Sequence, residues 1–262
     1  ADLDEEAVYL SAWVGLAELA FHSSPARLDE ARKDLDQAVG SRPTAAAAER
    51  ADYLRIWVEE AAGGNESKVI ELGNRFLEQH RQSQFAREVR MKLAELYYRR
   101  QDFANAQTQF EIIAQENPND PLTEKALFFA AESAMSSMSE HTLDRALVLF
   151  DQVVQKNGAM HWSARNEQAV IERKLGKTKD ALALYDEVLK SDAGTSEKRE
   201  ALCGKGDIFS EAGAIDPSNY QRAIEAYDQL AADKEGSVHW RSQALFKKGL
   251  CLEKKGDRDG AL

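Results

Sequence analysis

Apolar residues recur at intervals of three and four along almost the whole chain, and no segment keeps up the alternation of a half-buried strand. Val89, Leu93, Leu96 and Tyr97 mark one face of such a helix. Breaks in the pattern come at Ser23-Ser24-Pro25, Gly40 to Pro43, Gly63-Gly64, Asn117 to Pro121, Asn157-Gly158, Gly194, Gly213 to Pro217 and Gly236. Between them the periodicity predicts about fourteen helices of roughly 12 to 18 residues.

The helices fall on a repeating grid. Leu93, Ala94 and Tyr97, then Asp102-Phe103, Ala106, Phe110 and Pro118 give the pattern in full: a large and a small residue, an aromatic, a tight turn, alanine, an aromatic and a closing proline. It returns at Ala131 with Ala146 and Phe150, and at Ala169 with Gly176, Ala181 and Tyr185. It returns again at Gly206 with Phe209, Ala223 and Tyr227, and at Leu245, Gly249, Leu252, Gly256-Asp257 and Ala261. Units then start at Arg50, Arg87, Glu124, Trp162, Arg199 and Ser242, at spacings of 37, 37, 38, 37 and 43; the last is stretched by Ala214-Ile215-Asp216-Pro217-Ser218. The Arg50 unit is degenerate, with Trp57 at the small position and Gly73 at the aromatic one. Ahead of it, Asp4 to Gly40 reads as another pair, with Ala31, Leu35 and Ala38 on the second helix. Two antiparallel helices approach closely only where a side chain is small, and the aromatic one turn later fills the space against the next pair. No pair buries both faces alone, so stability comes from stacking.

On this grid the chain resembles the tetratricopeptide-repeat family over nearly its whole length, best from Arg87 to Leu262. The runs Phe76-Leu77-Glu78-Gln79-His80 and Ser83-Gln84-Phe85-Ala86, with Asp102 to Ala106 and Asn117 to Pro121, resemble bacterial cell-envelope members, such as the outer-membrane barrel-assembly lipoprotein and the periplasmic coordinator associated with the Tol–Pal system. Arg81 stands where their linker has proline, and the lipobox cysteine is lacking. The resemblance implies an all-α, right-handed superhelical solenoid of about seven antiparallel helix pairs, the last one truncated. Residues 1–83 form divergent N-terminal repeats and 84–262 the regular array, in one continuous solenoid.

It also implies a non-catalytic scaffold that binds a protein or peptide segment in a concave groove lined by the first helix of each pair. The family's groove positions fall here on Glu88, Met91, Glu95, Tyr98, Arg99, Phe128, Glu132, Met135, Asn166, Arg173, Asp207 and Phe246, and further on Lys125, Val170, Lys174, Glu200, Cys203, Glu211, Gln243, Leu250 and Glu253. Aromatic and methionine anchors beside carboxylates suit a basic or amphipathic segment. Members that clamp a C-terminal carboxylate use lysine at the fifth position and asparagine at the ninth. The pairs here are Met91/Glu95, Phe128/Glu132, Asn166/Val170, Cys203/Asp207 and Phe246/Leu250, so that mode is not expected. The expected compartment is the periplasm or cell envelope, with a cytosolic regulator, or the helical accessory region of a larger enzyme such as a cell-wall glycosidase, as alternatives.

Composition narrows the partner further. The 262 residues carry 34 basic and 45 acidic side chains, a net charge of −11, which disfavours nucleic acid and anionic membrane as main partners. No run approaches 18 uncharged apolar residues, so no membrane span is expected. Five prolines and 15 glycines fit paired helices with short turns. No cofactor or metal is expected: His22, His80, His141, His161 and His239 are scattered, and Gly204-Lys205-Gly206 lacks the rest of a phosphate loop. His161-Trp162 and His239-Trp240 are read as aromatic packing against the preceding pair, and Cys203 and Cys251 as unpaired thiols. No residue stands out as catalytic, and no feature selects an oligomeric state. Ala1 in place of methionine, and a helix just starting at Asp259 to Leu262, raise the expectation of a longer polypeptide.

Overall fold

A computed structural model describes residues 2–39, 45–63, 65–137, 140–233 and 237–261, and every regular element among them is a helix. The breaks expected at Gly40 to Pro43, Gly64 and Gly236 lie outside the described residues, as does Leu262. The chain divides into two compact units, Ala1–Pro118 and Asn119–Leu262. The division at 83/84 drawn from the sequence follows the regularity of the repeats, a different property from compactness.

The first unit holds three antiparallel pairs: α1 (Asp2–Phe21) with α2 (Leu28–Val39), α3 (Ala45–Ala61) with α4 (Glu66–Gln79), and α5 (Ala86–Arg99) with α6 (Phe103–Glu116). Val14, Ala17, Ala31, Leu35, Leu54 and Val58 form one buried cluster; Ile56, Val69, Phe76, Val89, Leu93 and Leu96 form the next. The degenerate pair shows how the grid is compensated. A Cβ on Gly73 would lie 2.9 Å from Leu93 Cδ2, so a leucine of α5 fills the place of the absent aromatic. Trp57, too large for the small position, stays partly exposed with the Lys92 ammonium 5.5 Å from its ring centre.

The second unit pairs α7 (Leu122–Ser136) with α8 (Glu140–Lys156), α9 (His161–Lys174) with α10 (Thr178–Lys190), and α11 (Thr195–Ala212) with α12 (Ser218–Ala232); α13 (Val238–Lys255) follows with the four-residue α14 (Arg258–Ala261). The grid is the core of both units. Ala94, Ala131, Ala169, Ala106, Ala146, Ala181 and Ala223 are fully buried, and Phe110, Phe150, Tyr185 and Tyr227 lie beneath the surface with them. At the fifteenth position Gly213, ahead of the stretched turn, is right-handed (φ −60), but three of the pairs use a left-handed residue there. Gly176 (φ 75) and Gly256 (φ 91) supply it, and Gln101 adopts the same sign (φ 62) at some steric cost.

Two contacts align consecutive first helices in this unit. The Glu124 carboxylate of α7 accepts from the backbone N–H groups of Ala159 (3.1 Å) and Met160 (3.0 Å) at the start of α9. Asn166 of α9 donates to the Glu197 carbonyl (2.9 Å) in the first turn of α11. Closer still is the approach at Gly206, where an added Cβ would sit 2.6 Å from the Tyr227 ring. Gly206→Ala is therefore expected to cost about 1 to 2 kcal/mol, because a rigid ring rather than a flexible chain end must move. A urea midpoint equal to that of the parent protein would contradict this close packing.

Candidate protein-binding face

In the second unit, first helices lie next to one another: α9 packs on α11, and α11 on α13. Asp207 of α11 is the hub of a polar network between them. Its carboxylate accepts from Lys247 Nζ of α13 (2.7 and 2.8 Å) and from the Tyr227 hydroxyl of α12 (2.6 Å), and it pairs with the Arg173 guanidinium of α9 at 3.5 Å. Arg173 also reaches Glu211 at 3.8 Å. Burial alone would lower the Lys247 ammonium, but the bond and charge of Asp207 hold its pKa above the ordinary value. Burial, and then Asp207, push the Cys203 thiol up; it lies 3.3 Å from Lys247 Nζ. Cys203 and Cys251 are both free and buried. Arg173 and Asp207 thus lock α9, α11, α12 and α13 to one another.

A second group runs diagonally over α7, α9 and α11: Glu132, Glu167 and Glu200, with Asn166 beside Glu167. All three carboxylates are half-buried. Burial raises the pKa of Glu132, and that of Glu200 against the opposing effect of its bond with Asn166. Glu167 is pushed up to about 7, first by burial and then by the negative charges of Glu132 and Glu200, against the nearby Lys174. Among the described residues, no donor or ion-pair partner reaches the carboxylates of Glu132 or Glu167. Asn166 is only 3% exposed. Its Nδ2 donates to Glu200 Oε2 (3.3 Å) as well as to Glu197, while its buried Oδ1 has no donor among the described residues.

The other groove positions divide between use inside the fold and exposure. Phe128 is 7% exposed, with its ring edge-on to Phe150 at 5.4 Å, so the structure makes it a core residue rather than an anchor for a partner. Met135 is half-buried. Phe246 and Leu250 of α13 are 68% and 40% exposed. On α5 of the first unit, Glu88 accepts from the Tyr53 hydroxyl (2.7 Å), Glu95 lies 3.4 Å from Lys92, and Arg99 pairs with Glu66 at 3.1 Å. Tyr98 stands edge-on to Phe103 at 5.5 Å, and Met91 is half-buried.

Glu167 occupies the sixth position of its unit, which the groove pattern does not include. The signal was nonetheless in the sequence, because positions two, six and nine lie on one face at spacings of four and three. The aromatic pairs also differ in part from expectation. His161 does bond back to the Val154 carbonyl (3.0 Å), but Trp162 donates forward to Asp192 (3.0 Å), whereas Trp240 packs on the preceding pair. Among the described residues, no three His, Cys, Asp or Glu side chains converge as a metal site, and no helix is long and apolar enough to cross a membrane.

Tetratricopeptide-repeat family models match residues 88–120, 141–197 and 167–231. No match emerged among curated protein sequences. Among solved structures, the chain is similar to the apo form of the quorum sensor NprR from B. thuringiensis, with TM-score 0.55 and 15% identity over 99% of this chain and 73% of that one. It is also similar to BtubC (BKLC) from P. vanneervenii, with TM-score 0.50 and 17% identity over 75% of this chain and 84% of that one. A thermophilic repeat protein of Thermus thermophilus gives TM-score 0.49 and 15% identity over 75% of this chain and 97% of that one. At these identities the likeness concerns the fold. The chain carries tetratricopeptide repeats, in an all-α array of stacked helix pairs.

Proposed function

We propose that this repeat array is a non-catalytic scaffold of the bacterial cell envelope, holding a segment of another protein on the first helices of its second unit. The observation that carries this reading is the contrast on that face between side chains spent on the fold and side chains left over. Arg173 and Asp207 are consumed by the network around Lys247, whereas Phe246 and Leu250 project from α13 and the carboxylates of Glu132 and Glu167 lack donors among the described residues. Covering a side chain such as Phe246 gains about 1.5 to 3 kcal/mol, enough for an anchor in a groove that recognises an amphipathic segment. The run from Phe76 to Ala86, with its resemblance to envelope repeat proteins, supports the compartment.

The reading is tested in cells with a photoreactive phenylalanine analogue placed at Met135 or Phe246 on first helices, and at the exposed Gln152 or Glu225 on second helices. Discrete cross-linked complexes are expected from the first-helix positions alone, in the envelope fraction. Equal cross-linking from all four positions would overturn the scaffold assignment, and a specific complex confined to the cytosol would overturn the compartment alone.

A further inference from the structure

We infer that the first unit holds a binding cavity for a small molecule that carries one carboxylate on a compact apolar body. The inference is independent of the first-helix face of the second unit. The cavity, of about 260 Å³, is lined by α2, α3 and α4. Both α2 and α4 pack on α3, and the space lies where the two second helices flank it. Its size is near the lower end for small-ligand sites and excludes a helix about 10 Å across. The apolar lining is Leu35, Val58, Leu72 and Phe76. Leu35, Val58 and Phe76 belong to the buried core, so this wall is fixed by packing, and Leu72 is partly exposed.

The polar lining has four cations, Arg32, Arg55, Lys68 and Arg75, against three carboxylates. Glu59 is spent on Arg32, which donates to both its oxygens (3.0 and 3.1 Å). Asp52 lies 3.0 Å from His80 Nε2, and Asp36 accepts from Arg55 Nη2 at 3.0 Å. Lys68 (3.2 Å) and Arg75 Nη2 (2.7 Å) share the carboxylate of Glu71, which is not part of the lining. Arg55 is the best-placed receptor group. Its Nη2 also donates to the Leu35 carbonyl (2.7 Å), so the guanidinium is held against α2 before any ligand arrives. Its Nη1 has no partner among the described residues and stays accessible, on a side chain that keeps 25% exposure. A held guanidinium with unspent N–H groups, next to a second one on Arg75 and an apolar wall, suits an anionic acceptor on a hydrocarbon body. An organic cation would meet four like charges in the same space.

The test titrates the isotopically labelled full chain at low ionic strength with benzoate. Benzamide serves as the neutral control of nearly the same shape, and inorganic phosphate as an anion without an apolar body. The reporters are the methyl resonances of Val58 and Leu72 in the cavity lining. Saturable movement is expected with benzoate, at a concentration about ten-fold or more below that needed with either control. Arg55→Gln, with an unchanged helical spectrum, should weaken benzoate binding about ten-fold. Arg75→Gln alters a side chain that is 51% exposed, so the fold is expected to tolerate it, and binding should weaken in the same direction. Benzamide binding as tightly as benzoate would reduce the site to an apolar hollow and overturn the proposal. Phosphate binding as tightly would reduce it to a general anion site, with the same consequence. Unchanged benzoate affinity in both variants, or no saturable movement at all, would also overturn it.

Discussion

Phe150→Ala is expected to destabilise the second unit by about 3 to 5 kcal/mol. Phe150 is fully buried on α8, and its ring meets Phe128 of α7 edge-on at 5.4 Å, with Ala131 and Ala146 buried in the same pair of helices. The small residues bring the two backbones together, so the space left by the ring cannot be closed by moving the helices nearer. The truncation therefore costs both the lost burial and most of a cavity. Val148, two residues away on the same helix, is 48% exposed, and Val148→Ala should stay within about 0.5 kcal/mol. Urea unfolding followed by circular dichroism distinguishes them. Because each pair contacts only its neighbours, Phe150→Ala is also expected to broaden or split the transition, a sign that the array has lost coupling at that pair. A loss below about 1 kcal/mol would mean that the aromatic position of the repeat does not carry the packing assigned to it.

Phe150 illustrates what was legible in the sequence. Where a position must be small, or large and apolar, for two neighbouring helices to pack, spacing alone identifies it, as with Ala131, Ala146, Ala169 and Tyr185. The intra-pair turns were equally plain at Gly176 and Gly256, because backbone conformation is a local property. The candidate face is harder to read. The offset of Phe128 puts it at a groove position, but the offset does not report its contact with Phe150. Asp207 reads from the sequence as a free carboxylate on the face, although Lys247, forty residues on, and Tyr227 consume it. Glu167 stands out only in the fold, where burial, and then the charges of Glu132 and Glu200 on two other helices, raise its pKa. Packing within a pair follows the chain, whereas electrostatics across pairs depends on the stacking.

Glu167→Gln is expected to stabilise the protein above neutral pH, the reverse of the usual effect of altering a half-buried residue. The Glu167 carboxyl has a folded-state value of about 7 against an ordinary 4.5. The folded state therefore favours the protonated form more than the unfolded chain does. The stability contributed by the protonated group is complete below about 4.5 and is lost as pH rises through about 7. The full difference corresponds to about 3 kcal/mol by pH 8; the side chain keeps some contact with water, so about 2 to 3 kcal/mol is the expected gain in the variant. Glutamine imitates the protonated acid in shape and in lacking charge, and so removes the penalty without opening a cavity. At pH 4 to 5 the two proteins should unfold at nearly the same urea concentration, and their curves should separate between about pH 5 and 8. Parallel curves over that range would show that Glu167 titrates normally. A variant less stable than the parent at pH 8 would show that the carboxylate has an internal partner. The separation measures chiefly the cost of holding a charge at a half-buried position, with the repulsion of Glu132 and Glu200 as the smaller part.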